Sequence, residues 1–176
     1  MDERERMGVG IGIVAMIGIV TASNVLVQYP LNDWLTWGAF SYPVSFLVTD
    51  VTNRALGARR TRLVVYAGFV AAVALSMLLA TPRIALASGS AFLASQLLDV
   101  LIFDRLRQSA WWRAPFISSV IASALDTAMF FALAFAGTEV PWVTLGLGDY
   151  AVKVGLAVLM LLPYWSLRGA IAARFN

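Results

Sequence analysis

The chain contains no cysteine and no histidine, and only 13% of its 176 residues are charged. The absence of those two residue types excludes disulfides, Cys/His metal sites, and Ser-His or Cys-His catalysis. Soluble domains carry about 25% charged residues, so this chain has too little charge to cover a water-exposed surface. Because hydrophobic residues make up 60% of it, the composition indicates an integral membrane protein.

Six apolar runs are of a length suited to crossing a bilayer, which takes roughly 20 residues per helix. They cover residues 9–28, 40–57, 63–80, 84–103, 116–136 and 143–167. The first run is longer than the apolar core of a signal peptide, so we expect it to be retained. Only tails and loops remain outside the runs. We therefore predict an all-α fold in which residues 1–176 form one domain, a bundle of six transmembrane helices.

The basic residues are concentrated on alternate loops. Eleven of the 13 Lys and Arg residues lie before the first run, at the end of the second run or between it and the third, between the fourth and fifth, or after the sixth. Positive residues stay on the cytoplasmic side, so both termini are expected there. Because the arginines lie at helix ends, the basic balance of the chain is an orientation signal and predicts no nucleic-acid partner.

Several polar and charged residues lie inside the apolar runs. A charge at the middle of a bilayer costs a few kcal/mol, so it usually faces a protein interior and has a function. Helical spacing places these residues in one polar and aromatic stripe on each of four helices. The stripes hold Tyr42, Asp50 and Asn53; Phe92, Ser95, Gln96 and Asp99; Ser123, Asp126, Thr127 and Phe130; and Asp149 and Lys153. We expect the four stripes to face inward and to line one cavity.

A structural role is the alternative for these residues, because polar groups also hold membrane helices together. Asp149 and Lys153 are spaced to pair with one another along one helix. Asp50 has Arg54 as a candidate partner, and Asp99 has the basic residues at 105 and 107. Asp126 has no basic residue near it in sequence and lies centrally in its run. It is therefore the strongest candidate for a functional group.

Proline and glycine add backbone signals. The residue before a proline avoids the helical region, so Ser41-Tyr42-Pro43 predicts an extended or unwound entry to the second helix. Pro163 predicts a break in the sixth helix, and broken helices often surround transporter binding sites. Glycines 8, 10, 12 and 18 in the first helix would permit close packing, either within one chain or between two chains of a homodimer.

A transporter of a small solute fits the inward stripes best. Carboxylates, amides and aromatic rings in one cavity suit a flat heterocycle with adjacent N–H donors, such as the edge of guanine. Three other functions are compatible with parts of the sequence. Residues 146–149 read Gly-Leu-Gly-Asp, which matches the signature of intramembrane aspartyl proteases, with Asp126 as the second carboxylate. A subunit of an oligomeric channel and a scaffold are the remaining two.

Four blocks of the sequence resemble one transporter family. Residues 42–54, which read YPVSFLVTDVTNR, and Gly57 are similar to the signature of the queuosine precursor transporters, formerly named vitamin uptake transporters. Further resemblance lies in residues 95–107, in residues 123–127 with the phenylalanines that follow, and in Lys153 with the Pro-Tyr pair at 163–164. The resemblance implies a six-helix inner-membrane transporter, not an enzyme and without a cofactor. Its substrates would be 7-deazaguanine precursors of queuosine, such as the 7-cyano and 7-aminomethyl forms.

The predicted substrate-binding residues combine the resemblance with the inward stripes. The polar members are Asp50, Asn53, Gln96, Asp99, Asp126, Thr127 and Lys153, and the ring-stacking candidates are Tyr42, Phe92 and Phe130. Asp126 or Asp99 is expected to accept the N–H edge of the base. Six short helices also suit a vitamin-binding membrane component that works with a separate ATPase, and this alternative stays open.

Overall fold

The computed structural model describes residues 1, 3–26, 29–32, 34–79 and 81–175. Over these ranges the chain is almost entirely helical, which confirms the all-α class. The elements are α1 (Glu3–Leu26), β1 (Pro30–Asn32), β2 (Leu35–Thr36), α2 (Gly38–Ser41), α3 (Val44–Leu56), α4 (Ala58–Leu79), α5 (Pro82–Leu106), α6 (Arg113–Phe135), α7 (Trp142–Leu159) and α8 (Leu161–Phe175). The strands β1 and β2 form a short antiparallel hairpin.

Five helical segments are long and apolar enough to cross a membrane: α1, α4, α5, α6, and α7 together with the first part of α8. They correspond to five of the predicted spans, with ends shifted by a few residues. The predicted ends at residues 27–28 and 80 lie outside the described residues. The second predicted span is α2 followed by α3. The 13 residues of α3 extend only about 20 Å, less than the roughly 30 Å of a bilayer core.

The break in the second span lies at Tyr42 and Pro43, but the predicted extended entry is wrong. Tyr42 has helical dihedral angles, with φ −57° and ψ −42°, and its amide donates to the Gly38 carbonyl over 3.0 Å. The avoidance of helical angles before proline is a preference. Here the Tyr42 side chain is held by a hydrogen bond to Asp126, and that tertiary contact favours the compact turn.

The sixth span is broken, as Pro163 predicts. Helix α7 ends at Leu159, and α8 begins at Leu161. Because proline has no N–H, it cannot donate to the carbonyl four residues earlier, which is that of Leu159. The break therefore falls one turn before the proline. It lets Tyr164 pack edge-on against Phe103 of α5, with ring centres 6.1 Å apart.

The helices pack around α3 and α5. Helix α5 lies along α4 and α6, and α3 contacts α1, α4, α5 and α8. Two glycines are required for this packing. Gly57 forms the one-residue turn between α3 and α4 with a positive φ of 80°, which only glycine adopts easily. A Cβ atom on Gly68 would lie 2.5 Å from Cγ of Met16, so α4 could not approach α1 as closely.

One of the glycines of α1 packs against another helix of the same chain. A Cβ on Gly12 would lie 3.0 Å from Val64 of α4, whereas Gly10 and Gly18 have no neighbour within 4 Å among the described residues. Gly12 thus supports packing within one chain. The homodimer stays a prediction.

The arginine-rich segments meet at one end of the bundle. Arg60 at the start of α4 forms a 2.5 Å ion pair with Glu5 at the start of α1. Arg54 donates to the Arg107 carbonyl over 2.9 Å, and Arg107 donates to the Arg54 carbonyl over 2.7 Å. The end of α3 is thereby tied to the end of α5. The basic loops share one face, as the positive-inside pattern requires.

Candidate functional site

A cavity of about 850 Å³ opens between the helices at the end opposite the arginine-rich segments. Its lining extends from Lys153, inside α7, to Trp34, Thr81 and Phe135 near the other end of the bundle. Trp34 is exposed, so the cavity reaches the surface there. Small-molecule sites commonly have volumes of about 300–1,000 Å³, so this cavity is large enough for a heterocycle.

Aromatic side chains form much of the cavity wall. They are Trp34, Tyr42, Phe92, Phe130, Phe131 and Phe135. The ring centres of Phe130 and Phe131 are 5.2 Å apart with their planes at 84°, and those of Phe130 and Phe135 are 6.0 Å apart at 86°. Edge-to-face contact is a favoured aromatic geometry. The cluster therefore holds its rings in fixed orientations beside the space that a planar ligand would occupy.

Three ionisable side chains lie together in the cavity wall, and we call them the Asp126–Lys153–Asp149 triad. The Lys153 ammonium lies 2.8 Å from Oδ2 of Asp126 and 2.6 Å from Oδ2 of Asp149. It also donates to the Thr127 hydroxyl over 3.1 Å, and that hydroxyl donates to Asp149 over 2.8 Å. With both carboxylates ionised, the triad carries one excess negative charge.

Asp126 is held by donors from three parts of the fold. Its Oδ1 accepts from the Tyr42 hydroxyl at 2.9 Å and from the Ser95 hydroxyl at 3.2 Å, while its Oδ2 faces Lys153. The Lys153 ammonium also lies 5.2 Å from the centre of the Tyr42 ring, within reach of a cation–π contact. The break before α3, the middle of α5 and the middle of α7 thus converge on one carboxylate.

A second buried polar group lies nearer the arginine-rich end, around Asp50 of α3 and Asp99 of α5. Asp50 accepts from Ser118 at 3.3 Å and from Ser119 at 3.4 Å, and Arg54 turns to a backbone carbonyl instead. The candidate Asp50–Arg54 pair therefore does not form. Asp99 is fully buried, and neither of its carboxylate oxygens has a hydrogen-bond partner in the described part of the chain. The candidate pairing of Asp99 with Arg105 or Arg107 does not form either.

Two buried amides connect α3 to α5 in the same region. The Gln96 amide donates to the Ser45 hydroxyl over 2.8 Å and accepts from Thr49 at 2.5 Å. Asn53 donates to the Val100 carbonyl over 3.1 Å. These bonds are the interhelical contacts expected of polar residues with a structural role.

The four stripes therefore form two groups instead of the single cavity expected from helical spacing. Five predicted residues line the cavity: Tyr42, Phe92, Asp126, Phe130 and Lys153. Thr127 bonds to the triad, whereas Asp50, Asn53, Gln96 and Asp99 are not in the cavity lining. Contact of those four with a substrate stays a prediction.

Sequence reasoning missed part of the cavity wall. It places Asp149 on an inward stripe and as the local partner of Lys153 but does not include it among the substrate-binding residues. Asp149 lines the cavity, and its side chain is more exposed than that of Asp126. The helical spacing of Asp149 and Lys153 was the available signal. Phe135 lies in the same wall as Phe130, and the run of phenylalanines at the end of α6 could have indicated it.

Comparisons with known proteins agree with the resemblance. A family model described as "Putative vitamin uptake transporter" matches residues 36–81 and 75–167. The "Queuosine precursor transporter" of Escherichia coli K12 is 36% identical, over 84% of this chain and 80% of the relative. The "Probable queuosine precursor transporter" of Haemophilus influenzae is 32% identical over the same shares. That of Bacillus subtilis is 27% identical over 73% of this chain and 69% of the relative. No solved structure matches the chain significantly.

The matched residues contain all of the helices that build the cavity except α1. The relatives are transporters, so the prediction that the chain is not an enzyme is confirmed, and the protease hypothesis is excluded. The five long apolar segments agree with a multi-pass membrane protein. The chain belongs to the queuosine precursor transporter family.

Proposed function

We propose that the protein takes up 7-deazaguanine precursors of queuosine, such as the 7-cyano and 7-aminomethyl forms, and binds the base in the 850 Å³ cavity. The observation that carries the proposal is the Asp126–Lys153–Asp149 triad in an aromatic-lined wall. The names of the relatives support the substrate class. An inner-membrane location belongs to the same proposal.

The triad complements the edge of a guanine-like base. Such an edge presents two adjacent N–H donors beside a ring carbonyl. A carboxylate accepts both donors with its two oxygens, and an ammonium donates to a carbonyl. Asp126 provides the predicted carboxylate, Asp149 is a second one within reach of Lys153, and Lys153 provides the donor. The excess negative charge of the triad favours a ligand that presents more donors than acceptors.

The orientation follows from the arginine distribution. If the arginine-rich end is cytoplasmic, both termini are cytoplasmic and the cavity opens toward the outside. The triad then lies where a solute arriving from outside would meet it. In this orientation the described conformation is the outward-facing form of the transporter.

Transport by the chain alone tests this function. Purified protein in vesicles is expected to take up labelled 7-cyano-7-deazaguanine without any added ATPase. The alternative, a vitamin-binding component of an ATPase-driven system, predicts binding without transport until the ATPase is supplied. Uptake that requires an added ATPase would contradict the proposal.

Phe130→Leu is expected to weaken base binding about tenfold, because stacking on an aromatic side chain contributes about 1–3 kcal/mol per base. Phe130 lines the cavity and is only partly buried. Titration calorimetry on the purified protein measures the change. Phe40→Leu is the matched control, because Phe40 is exposed and is not in the cavity lining. Equal losses in the two variants would contradict a stacking role for Phe130.

A further inference from the structure

We propose that Asp50 and Asp99 form a proton-binding pair that couples uptake of the base to proton movement. The inference rests on the proposed function and adds its driving force. Both are predicted site residues that belong to the second buried polar group, nearer the arginine-rich end, and neither lines the cavity. Their burial and their partners distinguish them from the triad, which has its own cation.

Among the side chains that the structure describes, no cation forms an ion pair with Asp50 or Asp99. Asp99 has no exposed surface and Asp50 is 2% exposed. Both Asp99 oxygens and the Asn53 side-chain oxygen lack a hydrogen-bond donor among the described residues. An unpaired charge in an apolar interior costs several kcal/mol, so such a group binds a proton or a counter-ion.

One proton would satisfy both carboxyl groups. Asp50 on α3 and Asp99 on α5 lie on packed helices and are close enough to interact electrostatically. Ser118 donates to Asp50. With the proton on Asp99, its O–H donates to the Asp50 carboxylate. The single remaining negative charge then receives the hydroxyl donors of Ser118 and Ser119. Carboxyl pairs that share a proton are a known arrangement.

The charged groups around the pair have other partners in the described part of the chain, so proton binding is assigned to Asp50 and Asp99. Lys153 of α7 lines the small cavity beside Asp50. Tyr164 of α8 lies within electrostatic reach of Asp50 and of Arg54 and Arg107 at the ends of α3 and α5. Tyr164 is also within reach of Arg168, which lies over the Trp111 ring. Lys153 is engaged by the triad, and the two arginines bond to each other's backbone carbonyls. Glu5 of α1 and Arg60 of α4 pair at the end of the bundle.

The space beside the pair favours a proton over a metal cation. A cavity of about 10 Å³ adjoins Asp50, and its lining does not include Asp99. That volume is about the minimum for one water molecule. A cation bound by several oxygens needs room between them, whereas a proton shared by two carboxyl groups needs none.

Helices α5 and α6 connect the pair to the triad, which provides the coupling, because each carries a member of one group and a hydrogen-bond donor to the other. On α5, Asp99 lies one turn from Ser95, which donates to Asp126. On α6, Ser119 lies two turns from Asp126. Lys153 lines both the large cavity and the small one beside Asp50. A movement of α5 against α6 that opens the triad to the cytoplasm therefore also disturbs the pair.

In each transport cycle the pair releases one proton and binds one proton. In the outward-facing form the pair holds one proton. When the cytoplasmic side opens, the O–H bond of Asp99 breaks and water accepts the proton, while the base leaves the triad. The pair binds another proton from the outside before the next cycle. One proton moves inward with each base.

Vesicles holding the full chain test the coupling. The membrane potential is clamped at zero with valinomycin and potassium, and the probe is labelled 7-cyano-7-deazaguanine. With the outside one pH unit more acidic, wild-type protein is expected to accumulate the probe up to roughly tenfold, because one unit corresponds to a factor of ten in the proton gradient. Asp99 does not line the cavity, and in the proposed role it binds a proton and does not contact the base. Asp99→Asn, which mimics the protonated state, is therefore expected to exchange labelled for unlabelled probe but not to accumulate it.

Asp104→Asn is the matched control, because Asp104 lies on the same helix with an exposed side chain, and it should accumulate the probe like the wild type. Wild-type accumulation that ignores pH or follows a sodium gradient would overturn the coupling while leaving the proposed function intact. Absence of probe exchange by the wild type would overturn both. If Asp99→Asn does not fold, a pH dye inside wild-type vesicles decides: acidification on probe addition supports the coupling, and none overturns it.

Discussion

Asp126→Asn is expected to abolish uptake in cells that cannot make queuosine precursors. The Asp126 carboxylate accepts from Tyr42, Ser95 and Lys153. The Asn side chain has one acceptor oxygen where Asp has two. Its N–H₂ group then faces a hydrogen-bond donor and cannot accept from it. Charge-assisted hydrogen bonds contribute about 1.5–3 kcal/mol each, so the loss of two from the base predicts affinity reduced by about 100-fold or more.

The measurement is uptake of labelled precursor, normalised to the amount of variant in the membrane. Asp104→Asn repeats the same chemical change at an exposed site at the end of α5 and should leave uptake unchanged. Normal uptake by a well-expressed Asp126→Asn variant would remove Asp126 from the substrate site.

Lys153→Met is expected to have the largest effect on stability. The substitution leaves Asp126 and Asp149 facing each other without the cation that lies within 2.8 Å of both. Breaking a buried ion pair by removing one partner costs about 3–5 kcal/mol. The thermal midpoint of the purified protein in detergent should therefore fall well below that of the wild type, and uptake should be lost.

Adding Asp126→Asn to Lys153→Met should recover part of the stability, because it restores the single excess negative charge of the triad. Neighbouring groups in one network are not additive. The double variant is thus expected to unfold at a higher temperature than Lys153→Met alone, and still to transport nothing. A double variant that loses the full sum of the two single effects would show that Lys153 does not act through Asp126.

The positions of the helices could be predicted from the sequence because apolar length is a local signal. Five of the six spans are long apolar segments at the expected places. The second span is the exception. Pro43 indicates the place of its break, but the compact turn there is held by a hydrogen bond from Tyr42 to Asp126, 84 residues away, and no local pattern contains that contact. The one-turn offset between Pro163 and the break at Met160 follows from the missing amide of proline.

Individual residues of the site could be predicted from the sequence, but not which residues contact each other. The polar character and central position of Asp126 indicated its importance, whereas its partner Lys153 lies 27 residues away on α7. Helical spacing gives the face of a residue but not its depth relative to residues on other helices. For that reason the stripes predict Asp50 and Asp99 in the cavity, although they lie in a separate layer with Ser118 and Ser119.

The most direct measurement is binding of a panel of purines and deazapurines to the purified protein by titration calorimetry. If the triad recognises the base, 7-cyano- and 7-aminomethyl-7-deazaguanine bind to the wild type, and Asp126→Asn binds neither precursor. Adenine, which lacks the paired N–H edge beside a carbonyl, does not bind. Equal binding of adenine and the 7-deazaguanines, or precursor binding that survives in Asp126→Asn, would contradict recognition of the base by the triad.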